Sequence, residues 1–145
     1  MAADRKATTQ WHGDLKSGSG TTALDTSGAT PPLSVSWSSR TEGSQGNTSP
    51  EELLAAAQAT CFSMSLSKAL SDNGNVPDSL ETSAVATFSL EGGAHVSKMA
   101  LTVRGNVPGI EEADFVKAAE AVKDACPLSK AIAGNVEITV DAALA

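Results

Sequence analysis

The stretch Asn47-Thr48-Ser49-Pro50-Glu51-Glu52-Leu53-Leu54-Ala55-Ala56-Ala57-Gln58-Ala59-Thr60-Cys61-Phe62-Ser63-Met64 decides the fold. Ser49 is a good N-cap, Pro50 falls at N1 and Glu52 at N3, so a capping box fixes the start of a helix. The helix runs on through Leu66 and Leu70 to end near Asn73-Gly74. Its centre is apolar nearly all round, a pattern that predicts a buried helix.

Upstream of that helix the chain reads as extended. Thr8 to Lys16, Ser17-Gly18-Ser19-Gly20 and Thr21 to Asp25 give a strand, a turn and a strand. Pro31-Pro32 closes a loop, Ser34 to Trp37 predicts a short third strand, and Arg40 to Thr48 reads as loop. Downstream, Thr82, Ala84, Ala86, Phe88 and Leu90 alternate along one strand, and Met99, Leu101 and Val103 along the next. A second helix is expected from about Glu111 to Ala125, with Phe115, Ala118, Ala119 and Val122 at core spacing. Cys126-Pro127 interrupts it, a short helix follows to Ala133, and Val136, Ile138 and Val140 predict a last strand. Strands, helix, strands, helix, strand is an α+β pattern. With no repeats and no linker, residues 1–145 are expected to form a single domain.

Composition narrows the function. A net charge of −7, with ten scattered Lys and Arg, argues against binding a phosphate backbone, so no nucleic-acid partner is expected. No apolar stretch resembles a signal peptide or a membrane span, which points to a cytoplasmic protein without membrane association. In that compartment structural disulfides are rare, so two cysteines are free, catalytic or metal-bound before they are a staple. Aromatics make up only 3% and the core must rest on Leu, Val, Ile and Ala. Such a core leaves apolar surface for an oligomer interface.

Cys61 and Cys126 are the residues with redox chemistry. Cys61 lies about three turns into its helix, beyond the reach of the helix dipole, so a reactive thiolate there needs another cation. The bland alternative is a small buried hydrophobe. Arg40, a permanently charged guanidinium just before the helix, is the candidate cation, with a solvated surface charge as its alternative. Glu51 at N2 can hold Arg40 by a bidentate pair or merely complement the dipole. Glu51 and Cys61 are ten residues apart, about 15 Å along the axis and roughly 80° in rotation. One straight helix does not bring them together, so either Arg40 bridges the gap or a second chain supplies Arg40 and Glu51. Cys126 precedes a proline, avoids helical backbone angles and reads as the N-cap of the Pro127 helix, which suits a leaving or resolving sulfur. His12 and His95 lack paired metal-ligand spacing with these cysteines, and no nucleophile-elbow motif is present; neither a metal nor a cofactor is expected.

Beyond this, the sequence resembles a family. Trp11-His12-Gly13-Asp14-Leu15-Lys16-Ser17-Gly18-Ser19-Gly20 is similar to the N-terminal hairpin of the osmotically inducible protein C (OsmC) family, and residues 47–64 to its central-helix motif. Val107-Pro108-Gly109-Ile110 and Ala125-Cys126-Pro127-Leu128-Ser129 match two later signatures. The hairpin looks more like the OsmC branch than the organic hydroperoxide resistance (Ohr) branch. The resemblance implies an intertwined homodimer, with antiparallel sheets wrapped around two central helices and active sites at the subunit interface. It also implies reduction of organic hydroperoxides without metal or flavin, and regeneration by a dithiol such as a dihydrolipoyl group. Carried over by motif, Cys61 is the peroxidatic thiolate and Cys126 the resolving thiol; Arg40 stabilises the thiolate and Glu51 orients Arg40. Where the family often has an aromatic after the arginine, this chain has Thr41, and Trp37 or Phe62 is the expected substitute for the missing apolar wall. A stress-induced binding protein with inert thiols and a different thiol chemistry are the readings that compete with a peroxidase.

Overall fold

A computed structural model describes residues Met1–Ala145. The chain divides into two compact units, Met1–Pro50 and Glu51–Ala145. No helix is long and apolar enough to cross a membrane.

The first unit is an antiparallel meander of β1 (Thr8–His12), β2 (Ser19–Ala23) and β3 (Leu33–Ser36). The first hairpin strand is shorter than expected, and the second begins two residues earlier, because Asp14 builds the turn. Its Oδ1 accepts the N–H groups of Lys16 at 2.8 Å and Ser17 at 2.9 Å, pulling the chain out of the strand. Gly18 is required in that turn, since a Cβ there would lie 2.2 Å from the Asp14 carbonyl oxygen.

The third strand stops at Ser36, and residues 37–41 are helical where a strand end and a loop were expected. Ser36 has extended backbone angles and caps α1 (Trp37–Thr41). Its hydroxyl accepts the Ser39 N–H at 3.1 Å, while the Ser39 hydroxyl accepts the Ser36 N–H at 3.2 Å. This is a capping box with serine in the place of the usual Glu or Gln. Arg40 therefore stands on a helical turn rather than in a loop. Thr22 and Val35 are the buried residues of this unit, and every residue of β1 is exposed.

Nearly all of α2 (Pro50–Asp72) belongs to the second unit, followed by β4 (Ser79–Ser89), β5 (His95–Asn106), α3 (Glu112–Ala125), α4 (Pro127–Ile132) and β6 (Glu137–Leu144). The long helix starts at Pro50 and ends where expected, with Gly74 at a φ of +84° and the Asn75 N–H returning to the Leu70 carbonyl at 3.0 Å. It is not buried all round. Ala55, Gln58, Phe62, Leu66 and Leu70 form one buried stripe, while Met64 on another face is 70% exposed.

The sheet order is β4-β5-β6. The β4–β5 pair is antiparallel, but β6 runs parallel to β5, so this sheet is mixed rather than antiparallel throughout. The physical reason is the α3–α4 crossover, which returns the chain to the end of the sheet where β5 began. The register of β4 shifts between Thr87 and Phe88, and Leu90 falls beyond the strand and is exposed instead of extending its inner face.

Phe62, Leu66 and Leu70 of α2 share the core with Leu101 and Val103 of β5 and with Phe115, Ala119 and Val122 of α3. Each large side chain fully buried there contributes about 1.5–3 kcal/mol. Gly105 lets α3 lie close to the sheet, because a Cβ there would lie 2.6 Å from the Phe115 ring. Gly105→Ala should therefore lower stability by about 1–3 kcal/mol in a denaturant titration, through overpacking. A variant as stable as the parent would show that α3 can move off the sheet.

Candidate active site

The crossover that makes β6 parallel also carries Cys126 to Cys61. Cys126 lies between two helices, closing α3 and opening α4, with φ −56° and ψ 132°. The following proline disfavours helical angles at this residue. Its N–H still reaches the Val122 carbonyl at 2.9 Å and its carbonyl accepts from Lys130 at 3.0 Å, so the backbone is held on both sides. Its sulfur is fully buried in the core cluster, whereas Cys61 is only half-buried. The two sulfurs stand 3.0 Å apart, with both cysteines reduced. Sequence separation alone does not give that distance.

The pair shares its protons unequally. Burial pushes the Cys61 thiol up from its ordinary value, and the neighbouring Cys126 sulfur adds to the shift. The Leu128 N–H and the Ser65 hydroxyl pull Cys61 the other way without prevailing. Burial also acts to raise Cys126, but there the hydrogen-bond donors win. The Cys61 thiol, the N–H groups of Ser129 and Leu128, and the Ser129 hydroxyl together hold Cys126 below the usual thiol value. With both sulfurs protonated, Cys126 donates to Cys61 and makes no side-chain cap bond. Once a proton leaves, Cys61 donates to the Cys126 thiolate, which draws on the amides of α4. Within one chain the low-pKa sulfur is thus Cys126, as expected for an N-cap thiol, and Cys61 gains no such help from its own helix.

The other two expected residues have definite places. Glu51 is buried in the first turn of α2. Its separation from Cys61 along one continuous helix is the roughly 15 Å that the rise per residue dictates. Arg40, in the first unit, lies with its guanidinium carbon 5.9 Å from the centroid of the Trp37 ring, one helical turn earlier. Trp37 thus supplies an aromatic surface for the arginine although Thr41 replaces the ring that often follows it. Phe62 points into the core with no exposed surface, so it is not the substitute wall.

Two residues near the cysteines were missed from sequence. Gln58 on α2 is completely buried, and its Nε2 donates to the Ser129 hydroxyl oxygen at 2.8 Å. The Oε1 of Gln58 has no hydrogen-bond partner, at a cost of about 1–3 kcal/mol. The signal was present: a lone amide in the apolar stripe, one turn before Cys61.

A dithiol on an α+β scaffold, with one sulfur buried and the other half-buried, at close approach and with one sulfur inclined to ionise, defines a protein of the thiol–disulfide class. The chain belongs to the OsmC family: the profile described as OsmC-like protein matches residues 42–141. It is 37% identical to the peroxiredoxin OsmC of Escherichia coli strain K12 over 142 residues, covering 97% of this chain and 96% of that protein. It is 29% identical to the organic hydroperoxide resistance protein-like 2 of Staphylococcus epidermidis over 101 residues, 68% of this chain and 71% of that one. Among solved structures, the organic hydroperoxide resistance protein OhrB of Bacillus subtilis superposes with a TM-score of 0.73 at 22% identity, over 94% of this chain and 97% of that one. An organic hydroperoxide resistance protein from Elizabethkingia anophelis reaches 0.76 at 20% identity, over the whole of both chains. These two share the fold.

The unequal sharing of protons has a direct readout. In the reduced protein, thiolate absorbance should rise in two separate steps as pH increases, the first below the ordinary thiol value of about 8.5. A single step at the ordinary value would mean that the sulfurs do not interact in solution.

Proposed function

We propose that the protein is a cysteine-based peroxidase that reduces organic hydroperoxides to alcohols, with Cys61 and Cys126 as its redox pair. The observation that carries this reading is the 3.0 Å approach of the chain's two cysteines in a member of the OsmC family. Cys61 is the attacking sulfur because it is the more accessible one, while complete burial denies a peroxide entry to Cys126. The Cys61 thiolate attacks the distal peroxide oxygen. The O–O bond breaks, the alkoxide takes a proton to leave as the alcohol, and Cys61, oxidised by two electrons, becomes a sulfenic acid. Cys126 as thiolate then attacks the Cys61 sulfur; the S–O bond breaks, hydroxide leaves and is protonated to water, and the disulfide forms. A dithiol, of which a dihydrolipoyl group is one candidate, restores both thiols by exchange. Neither metal nor flavin takes part.

Attack by Cys61 requires a cation, since burial raises its thiol within one chain. Arg40 supplies it and Glu51 orients Arg40, both contributed by the partner subunit of an intertwined homodimer. The length of α2 between Glu51 and Cys61, and the exposed Met64 on that helix, support a partner chain there. The two units, residues 1–145, work as one functional domain in the cytoplasm, with an apolar entrance that favours bulky alkyl peroxides over hydrogen peroxide.

Purified protein given cumene hydroperoxide and a dithiol should turn over, and Cys61→Ser should abolish all consumption. Cys126→Ser should complete one turnover and stop. No turnover with either dithiothreitol or dihydrolipoamide would favour a binding protein with inert thiols. Faster consumption of hydrogen peroxide than of cumene hydroperoxide would refute the apolar entrance. The shared site has its own check. Arg40→Ala should be nearly inactive, yet mixing and refolding it with inactive Cys61→Ser should recover activity, because one site of each mixed dimer is intact. Mixtures as inactive as their components would place Arg40 and Cys61 of one site on the same chain.

A further inference from the structure

We propose that Gln58 and Ser129 act as a positioning pair for the resolving sulfur, with the Gln58 amide fixing the Ser129 oxygen so that the Ser129 hydroxyl hydrogen serves Cys126. This rests on the reading of Cys126 as the resolving thiol.

The geometry is directional. A hydroxyl has one hydrogen to give and lone pairs to receive. Gln58 Nε2 donates to Ser129 Oγ at 2.8 Å, so the hydroxyl hydrogen remains free for another acceptor. Cys126 is the acceptor that placement offers: it is the N-cap of the helix whose third residue is Ser129, the spacing at which cap and N3 side chains face one another, and the Ser129 hydroxyl favours its thiolate. The opposite orientation of the amide would put Oε1 against Ser129, claim its hydrogen and turn it away from the sulfur. Gln58 and Ser129 are 0% and 2% exposed, so water cannot replace either bond.

The placement of Gln58 also fits a role in the reaction. It sits three residues before Cys61 on α2, so the amide–hydroxyl bond ties the helix carrying the attacking sulfur to the turn carrying the resolving one. Its Oε1 is buried without a partner, so an apolar side chain of the same length would be cheaper to bury. What the glutamine offers that such a residue does not is the N–H directed at Ser129. The hydrogen bond helps most when Cys126 carries charge, as it does both in attacking the sulfenic acid and in leaving during reductive exchange.

The test begins without peroxide. In a Cys61→Ser background, the thiolate absorbance of Cys126 would be titrated with and without Ser129→Ala, which removes one oxygen, and Gln58→Met, which keeps the side chain's length. Each should move the titration upward by about one pH unit, and the two together little further, because they act through one bond network. With both cysteines present, Ser129→Ala would be given one equivalent of cumene hydroperoxide. Disulfide formation, followed by trapping of the sulfenic acid, should slow about ten-fold below the shifted value. An unmoved titration in both variants overturns the proposal, including when their melting temperatures fall, since that assigns the pair to structure alone. A shifted titration in a protein that never consumes peroxide supports the pair's effect on Cys126 and overturns the peroxidase reading instead.

Discussion

Two sulfurs at 3.0 Å, one at the middle of a long helix and the other at a break between two helices, impose a demand on everything around them. Cys61 is held by α2, whose buried stripe of Phe62, Leu66 and Leu70 anchors the helix in the core. Cys126 is held by the end of α3, docked through Phe115, Ala119 and Val122 into the same core. The close fit of Phe115 over Gly105 sets how near α3 lies to the sheet. Packing energy thus fixes the distance between the sulfurs. The chemistry of the pair then follows from the polar groups the fold leaves beside them.

Those polar groups are distributed asymmetrically. Cys126 has the amides of Leu128 and Ser129 and the Ser129 hydroxyl near its sulfur, and burial is outweighed. Cys61 sits where a helix offers least to a thiolate, far from either end, and burial prevails. A single chain therefore favours the resolving half of a thiol cycle over the attacking half. The balance requires a positive charge delivered to Cys61, and in the proposed dimer that charge comes from Arg40 of the partner subunit. Arg40 lies over the Trp37 ring, an aromatic contact that Thr41 does not offer.

The buried amide of Gln58 breaks the apolar pattern of its helix and leaves one acceptor unsatisfied. Buried polar groups of this kind are uncommon in a core otherwise built from Leu, Val, Phe and Ala. Its position between the two cysteine-bearing segments connects an unfavourable feature of the core to the electrostatics of the site.

The sequence by itself determined whatever depends on neighbouring residues. Ser49, Pro50 and Glu52 announced the start of α2, Asn73-Gly74 its end, Cys126-Pro127 the break between helices, and period-two runs the strands β4 and β5. The motif around Cys61 and the Cys126-Pro127-Leu128-Ser129 run also pointed to the family and to both thiols. Local competition explains the errors at the first unit: a serine capping box turned residues 37–41 into helix, and an Asx turn at Asp14 shortened the first hairpin strand. Only the tertiary structure decided the parallel pairing of β6, the 3.0 Å approach of sulfurs 65 residues apart and the Gln58–Ser129 bond. Each of these joins segments distant in the chain, so no periodicity or spacing encodes it. They follow from how the crossover helices pack to bury their apolar faces.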